Sequence, residues 1–139
     1  MNNNEHRFSL RIYYEDTDAG GIVFNANYLK YVERARTEWL RELGINQSSL
    51  LAQDVGFVVR KVVMNNLAAA KLDDELTVVS VISTIKKASL TFFQEVYNQE
   101  NIKLCTLDVL IAFVSTSNNQ LKPCALPPEI LGALPSAIS

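Results

Sequence analysis

Only one stretch of this chain carries the period of a long helix, and almost everything after it reads as strand. Along residues 26–44, Tyr28, Tyr31, Val32, Ala35, Trp39 and Leu43 fall on one side of a helix, with Lys30, Arg34, Glu38 and Arg41 on the other. Gly44 follows the last apolar position, where a left-handed cap belongs. Ahead of the helix, Phe8, Leu10, Ile12 and Tyr14 alternate with Arg7, Ser9, Arg11 and Tyr13, which predicts a half-buried strand over residues 7–15. Beyond Gly56, β-branched and apolar runs predict strands at 57–64, 75–85, 89–97 and 103–115, with a hairpin turn at Asn98-Gln99-Glu100-Asn101. Short helical segments are expected at 48–54 and 127–134.

A lone long helix cannot cover both faces of a five-stranded sheet, but a curled sheet can wrap it. The expectation is an α+β domain over residues 1–139, in which the Tyr28/Val32/Trp39 face of one long helix is enclosed by a five-stranded antiparallel sheet. The edge strands of such a sheet stay open, and pairing with a second copy would remove that liability, so a homodimer is expected.

Composition excludes several classes. The 139 residues, 48% hydrophobic and 20% charged, suit one globular domain. A formal net charge of -2 without a basic arm argues against nucleic-acid binding. Residues 1–7 lack the apolar core of a signal peptide, and the longest uninterrupted apolar run, 109–114, is too short to span a bilayer, so a cytoplasmic protein is expected. The two cysteines, Cys105 and Cys124, have no metal-ligand spacing and read as a core thiol on a strand and a loop residue.

Groups able to do chemistry are few. The single histidine, His6, lies in the terminal tail and would have to fold back into a pocket to serve a Ser-His-Asp arrangement. No zinc-protease motif, Cys-His cluster or phosphate loop is present, so neither a metal nor a cofactor is expected. What remains is Asp16-x-Asp18-x-Gly20-Gly21-Ile22-Val23-Phe24-Asn25, between strand and helix. A helix start presents unpaired N–H groups and the positive end of its dipole, which can hold a carbonyl oxygen as it becomes an oxyanion. Gly20 and Gly21 let backbone approach a ligand closely. A carboxylate just before the helix can attack a carbonyl or draw a proton from water. Asp16 and Asp18 equally suit a plain turn or cap, and spacing alone leaves both readings open.

The stretch from Arg11 through Tyr13-Tyr14-Glu15-Asp16-Thr17-Asp18-Ala19-Gly20-Gly21-Ile22-Val23-Phe24-Asn25-Ala26-Asn27-Tyr28-Leu29, running on into Glu33-Arg34-Ala35-Arg36-Thr37-Glu38, closely resembles the YbgC family. These are acyl-CoA thioesterases associated with the Tol–Pal system. The chain is more distantly similar to 4-hydroxybenzoyl-CoA thioesterase, and Ala70-Lys71-Leu72-Asp73-Asp74 and Lys122-Pro123 extend the likeness over residues 7–130. The resemblance implies a hotdog fold, a homodimer or dimer of dimers, hydrolysis of acyl-CoA, and a peripheral link to Tol–Pal or lipid-synthesis proteins. It implies Asp18 as the catalytic carboxylate and the Asn25 N–H as the group that polarises the thioester carbonyl. Substrate contacts are implied at Gly21, Val23, Phe24, Tyr28 and Glu33, with Lys86 and Lys87 gripping the CoA phosphates. The lysines also suit a solvated turn, and Glu33 a surface or network carboxylate. One departure stands out: family members usually carry histidine, and the hydroxybenzoyl enzyme tyrosine, where this chain has Asn25. Asparagine hydrogen-bonds but takes no proton. A non-catalytic acyl-CoA-binding or partner-binding protein on the same fold is therefore the alternative. A dehydratase would need a histidine base at the motif, and none is there.

Overall fold

The computed structural model describes residues 4–137. Strand β1 (Glu5–Arg11) leads through a loop and a single turn of 3-10 helix at Tyr14–Asp16 into α1 (Asn27–Glu42). A short α2 (Gln47–Ala52) follows, then β2 (Val55–Asn66), β3 (Glu75–Ile85), β4 (Ser89–Tyr97) and β5 (Lys103–Ser115). A two-residue β6 (Lys122–Pro123) and a short α3 (Pro128–Ala133) complete the described chain. The sheet is antiparallel with order β1-β3-β4-β5-β2, and β6 pairs with the end of β5 on the edge opposite β2, in line with β4. The five expected strands are present, and the sixth is one the pattern did not predict.

The sheet curls round α1. Tyr28, Tyr31, Val32, Ala35, Trp39 and Leu40 of the helix are buried against Leu76, Val78 and Ile82 of β3, Leu90, Phe92 and Val96 of β4, and Leu107, Val109 and Ile111 of β5. Trp39 meets Phe92 edge-on at 6.0 Å, and Tyr28 meets Tyr31 likewise, the geometry that aromatic quadrupoles favour. Gly44, at φ 86°, caps α1 as its position in the sequence predicts. Asn101, at φ 63°, turns the β4–β5 hairpin, where the Asn98 side chain accepts from Glu100 and Ile102 N–H.

Two expectations are corrected. The first strand ends at Arg11, not at residue 15: Ile12 is buried, but Tyr13 and Tyr14 are exposed. The reason is local. Asp16 accepts the Tyr13 N–H at 2.8 Å, which curls the chain into the 3-10 turn and takes Tyr14 out of the alternation. His6 is not in a frayed tail. It belongs to β1, is 8% exposed, and stacks on Trp39 at 5.8 Å with Nε2 3.4 Å from Glu42. Those partners lie at the C-terminal end of α1, away from the Asp18 loop, so histidine catalysis at that loop has no candidate.

Cys105 is buried on β5 and Cys124 half-buried after β6, both as free thiols. Burial pushes the Cys105 thiol up to about 12. Among the described residues no group of His, Cys, Asp or Glu is placed to hold a metal ion, and no helix is long and apolar enough to cross a membrane.

Candidate active site

The motif folds as a small hairpin lying across the start of α1. Asp18 N–H donates to Ile22 carbonyl at 2.9 Å, Thr17 bridges Val23, and Phe24 N–H reaches back to Asp16 carbonyl at 3.4 Å. Asp18 sits at the tip, where its Oδ1 accepts Gly20 N–H at 2.8 Å and, more weakly, Ile22 N–H at 3.4 Å. Gly21 takes φ 76°, a left-handed conformation that favours glycine. One oxygen of Asp18 thus shapes the turn, as the plain-turn reading expects, and the side chain is exposed.

Three contacts fix this hairpin on the scaffold. Val23, 2% exposed, donates its N–H to Ala70 carbonyl at 2.9 Å, and Gly21 carbonyl accepts from Leu72 N–H at 3.1 Å. The Tyr28 hydroxyl accepts Ala70 N–H at 2.9 Å from within the core, tying the same loop to the first turn of α1. Burial raises the Tyr28 pKa, with the Ala70 bond opposing. The Asn27 side chain donates to Asp16 carbonyl at 2.9 Å and joins the hairpin to the helix start. The sequence reading quoted Asn27, Ala70 and Asp74 within the family likeness but gave them no role; Asp74 Oδ2 accepts Lys71 N–H, and an Asn at a helix start and the Asp-Asp pair before β3 were the available signals. The Tyr31 hydroxyl is buried without a hydrogen-bond partner among the described residues. Burial raises its pKa, and the Asp16 carboxylate, near it but outside hydrogen-bonding geometry, adds to the rise.

At the helix start, Tyr28 and Leu29 N–H groups donate to Asn25 and Ala26 carbonyls, while the N–H groups of Asn25 and Ala26 go to no acceptor among the described residues. Asp18, Phe24 and Asn25 are all exposed and Gly21 half so; Val23 and Tyr28 face inward and anchor them. An acyl carbonyl at this end of α1 would therefore meet unpaired donors, with a carboxylate on the adjoining turn.

Further along α1, Glu33, Arg36, Thr37 and Leu40 face Phe57 and Val59 of β2 across a cavity of about 50 Å³. Glu33 is exposed at its mouth; Arg36 is buried, donates to Gln94 Oε1 at 2.9 Å, and has no carboxylate within salt-bridge distance among the described residues. Gln94 in turn donates to Val32 carbonyl and Ser80 Oγ. Burial lowers the Arg36 guanidinium to about 10, against the pull of Glu33.

Lys86 and Lys87 stand apart. They occupy the β3–β4 turn, with Lys87 carbonyl accepting from Leu126 N–H, whereas the Asp18 hairpin packs beside residues 70–72, ahead of β3. The intervening strand has 11 residues, about 36 Å at 3.3 Å each. Within one chain these lysines do not join the site. A cavity of about 680 Å³ lies away from Asp18, between α2, the start of β2 and α3.

Residues 13–134 match the model of the thioesterase-like superfamily. An acyl-CoA thioester hydrolase of Escherichia coli, YbgC, is 44% identical over 131 residues, covering 94% of this chain and 96% of the relative. The Haemophilus influenzae acyl-CoA thioesterase YbgC is 42% identical over 96% of each chain. The chain belongs to the YbgC family of thioesterases. Its fold is that of 4-hydroxybenzoyl-CoA thioesterase from Pseudomonas sp. strain CBS-3, with a TM-score of 0.86 at 18% identity over 94% of this chain and 99% of that one. This is the hotdog fold, with α1 as its long helix and α2 and α3 as short additions. As a member of this family, the protein is a thioesterase.

Proposed function

We propose that this thioesterase acts on acyl-CoA in the cytosol, releasing the free acid and CoA from short-chain or aromatic acyl groups. The observation that carries the reading is the Asp18 turn fixed against a helix start with two N–H groups to spare, in a chain whose 44% and 42% identical relatives are named acyl-CoA thioesterases.

In the proposed reaction the thioester carbonyl oxygen accepts the Asn25 N–H, and negative charge developing on it is held there. Asp18 takes a proton from water as the water oxygen adds to the carbonyl carbon; collapse then expels the CoA thiolate, which gains a proton. Alternatively the Asp18 carboxylate itself adds to the carbonyl carbon and the C–S bond breaks, expelling the CoA thiolate and leaving an anhydride that water opens to the free acid and Asp18. With a thiol pKa near about 8.5, the thiolate leaves without a dedicated acid, so a site lacking histidine suffices. The acyl group extends along α1 towards Glu33, and the small cavity there favours a short chain.

We further infer that two chains pair through β2. This edge strand of 12 residues is unpaired on its outer side and exposes Val59, Val62 and Val63. In such an assembly Lys86 and Lys87 would serve the CoA phosphates of a site on another copy. A monomeric mass by sedimentation at micromolar concentration would remove the pairing.

The test is thiol release from a panel of short aliphatic, long aliphatic and aromatic acyl-CoAs. Turnover of a short or aromatic member is the expected result. Tight binding of acyl-CoA by folded protein without release would replace the enzyme reading with that of a binding protein.

A further inference from the structure

The Tyr31 hydroxyl, close beneath the Asp18 hairpin, is a polar group without a task in the fold. The residue is 1% exposed, and the hydroxyl has no hydrogen-bond partner among the described residues. Leaving a buried hydroxyl unpaired is costly, so its retention in a core calls for an explanation.

The place of Tyr31 on α1 supplies one. Asn27 and Tyr31 are one turn apart on the same face of the helix. Helical side chains lean towards the N-terminus, so Tyr31 leans back towards the helix start, where its ring meets Tyr28 edge-on at 6.0 Å. The Asn27 side chain donates to the Asp16 carbonyl at 2.9 Å, which puts Asp16 over this same face. Burial and then the Asp16 carboxylate raise the Tyr31 pKa, in keeping with a hydroxyl that faces that carboxylate.

Asp16 is also where the hairpin is gathered. Its Oδ2 accepts the Tyr13 N–H at 2.8 Å, and its carbonyl accepts from Phe24 N–H as well as from Asn27. Asp18 lies two residues beyond it on one arm, and Phe24, on the other arm, is joined directly to Asn25. A shift at Asp16 therefore moves the Asp18 carboxylate relative to the Asn25 N–H. A carboxylate accepts several hydrogen bonds, so holding Tyr13 leaves Asp16 capacity for a second donor. The Tyr31 contact stands open here, as contacts at catalytic sites often do before substrate binds.

We propose that Tyr31 is a positioning residue: in the working enzyme its hydroxyl donates to the Asp16 carboxylate from inside the core and holds the Asp18 carboxylate in register with the Asn25 N–H. This rests on the reading of Asp18 and Asn25 as the reacting pair.

The experiment measures kcat and KM for Tyr31→Phe, Asp16→Asn and the double variant on an acyl-CoA that wild type turns over, with circular dichroism and a thermal melt of each. Tyr31→Phe removes one oxygen and leaves the ring in place. Asp16→Asn keeps an acceptor for Tyr13 and offers Tyr31 the amide NH₂, a donor, in place of an oxygen. Misplacing reacting groups by about 1 Å costs up to about a hundredfold, so each single variant is expected to lose about tenfold in kcat, with KM within about twofold of wild type. Because both break one contact, the double variant is expected to lose no more than about threefold beyond the worse single. A folded Tyr31→Phe protein with kcat within about twofold of wild type, a loss carried by KM, or losses that multiply in the double variant overturns the proposal. Failure of the underlying reading looks different: Asp18→Asn would then keep more than about a tenth of wild-type kcat, whatever Tyr31→Phe does.

Discussion

Replacing Asp18 by Asn separates the turn role seen in the structure from the catalytic role we propose. Its Oδ1 accepts Gly20 N–H at 2.8 Å and so holds the turn; its charge is what the proposed chemistry needs. Asparagine keeps an acceptor at Oδ1 and loses the charge. A hydrogen bond to a charged group contributes about 1.5–3 kcal/mol and a neutral one about 0.5–1.5. Because Asp18 is exposed, solvent screening brings the structural loss down to about 1 kcal/mol or less. In a chain of this size that is a fall of a few degrees in Tm, small enough to leave the fold intact. Loss of a general base costs about a hundredfold to ten-thousandfold in rate, equivalent to about 2.7–5.5 kcal/mol of barrier. The assay is thiol release under saturating and limiting acyl-CoA, beside a thermal melt of both proteins. A folded Asp18→Asn protein retaining more than about a tenth of wild-type kcat would refute the assignment, since no base or nucleophile role tolerates so little loss.

Further outcomes follow from the same geometry. Tyr28→Phe deletes the hydroxyl that accepts the buried Ala70 N–H, at a cost of about 1–3 kcal/mol for the orphaned donor; a denaturant midpoint unchanged from wild type would show that the bond does not tether the loop. Asn25→His restores the residue usual in the family. A rate increase that titrates with a new ionisation would mean that the side chain moves protons, whereas an unchanged rate would leave catalysis to the backbone N–H and Asp18. The Cys105 thiol, raised from 9.0 to about 12 by burial, keeps its proton in the folded protein where the unfolded chain has lost it. Its contribution is therefore complete below about pH 9 and declines as pH rises towards 12. Cys105→Ala should flatten that alkaline decline in chemical denaturation, and an unaltered slope would contradict it.

Much of this protein was legible from residue order because its elements announce themselves by period. The α1 stripe, the Gly44 cap and strands β3, β4 and β5 needed nothing but neighbours along the chain. The Asp18 turn was equally local: an aspartate, two glycines and a helix start within ten residues shape their own hairpin. Even the inference that a sheet must wrap the single long helix came from counting faces to be covered.

Three-dimensional packing decided the rest, in each case through partners far apart in the chain. Tyr14 keeps the strand's alternation on paper, yet the Asp16 carboxylate and the docking of residues 70–74 pull the chain out of the sheet before it. His6 becomes a core residue only because β1 brings it against Trp39 and Glu42. Arg36 is buried because Gln94, 58 residues away, supplies an acceptor that no helical pattern reveals. Lys86 and Lys87 fall at the end of β3 away from the Asp18 hairpin, a separation set by strand length and register. The Phe57 and Phe113 rings meet only through the β2–β5 pairing. Periodicity records which face a residue presents; what that face meets depends on sheet order and register, which the chain acquires only when distant segments come together.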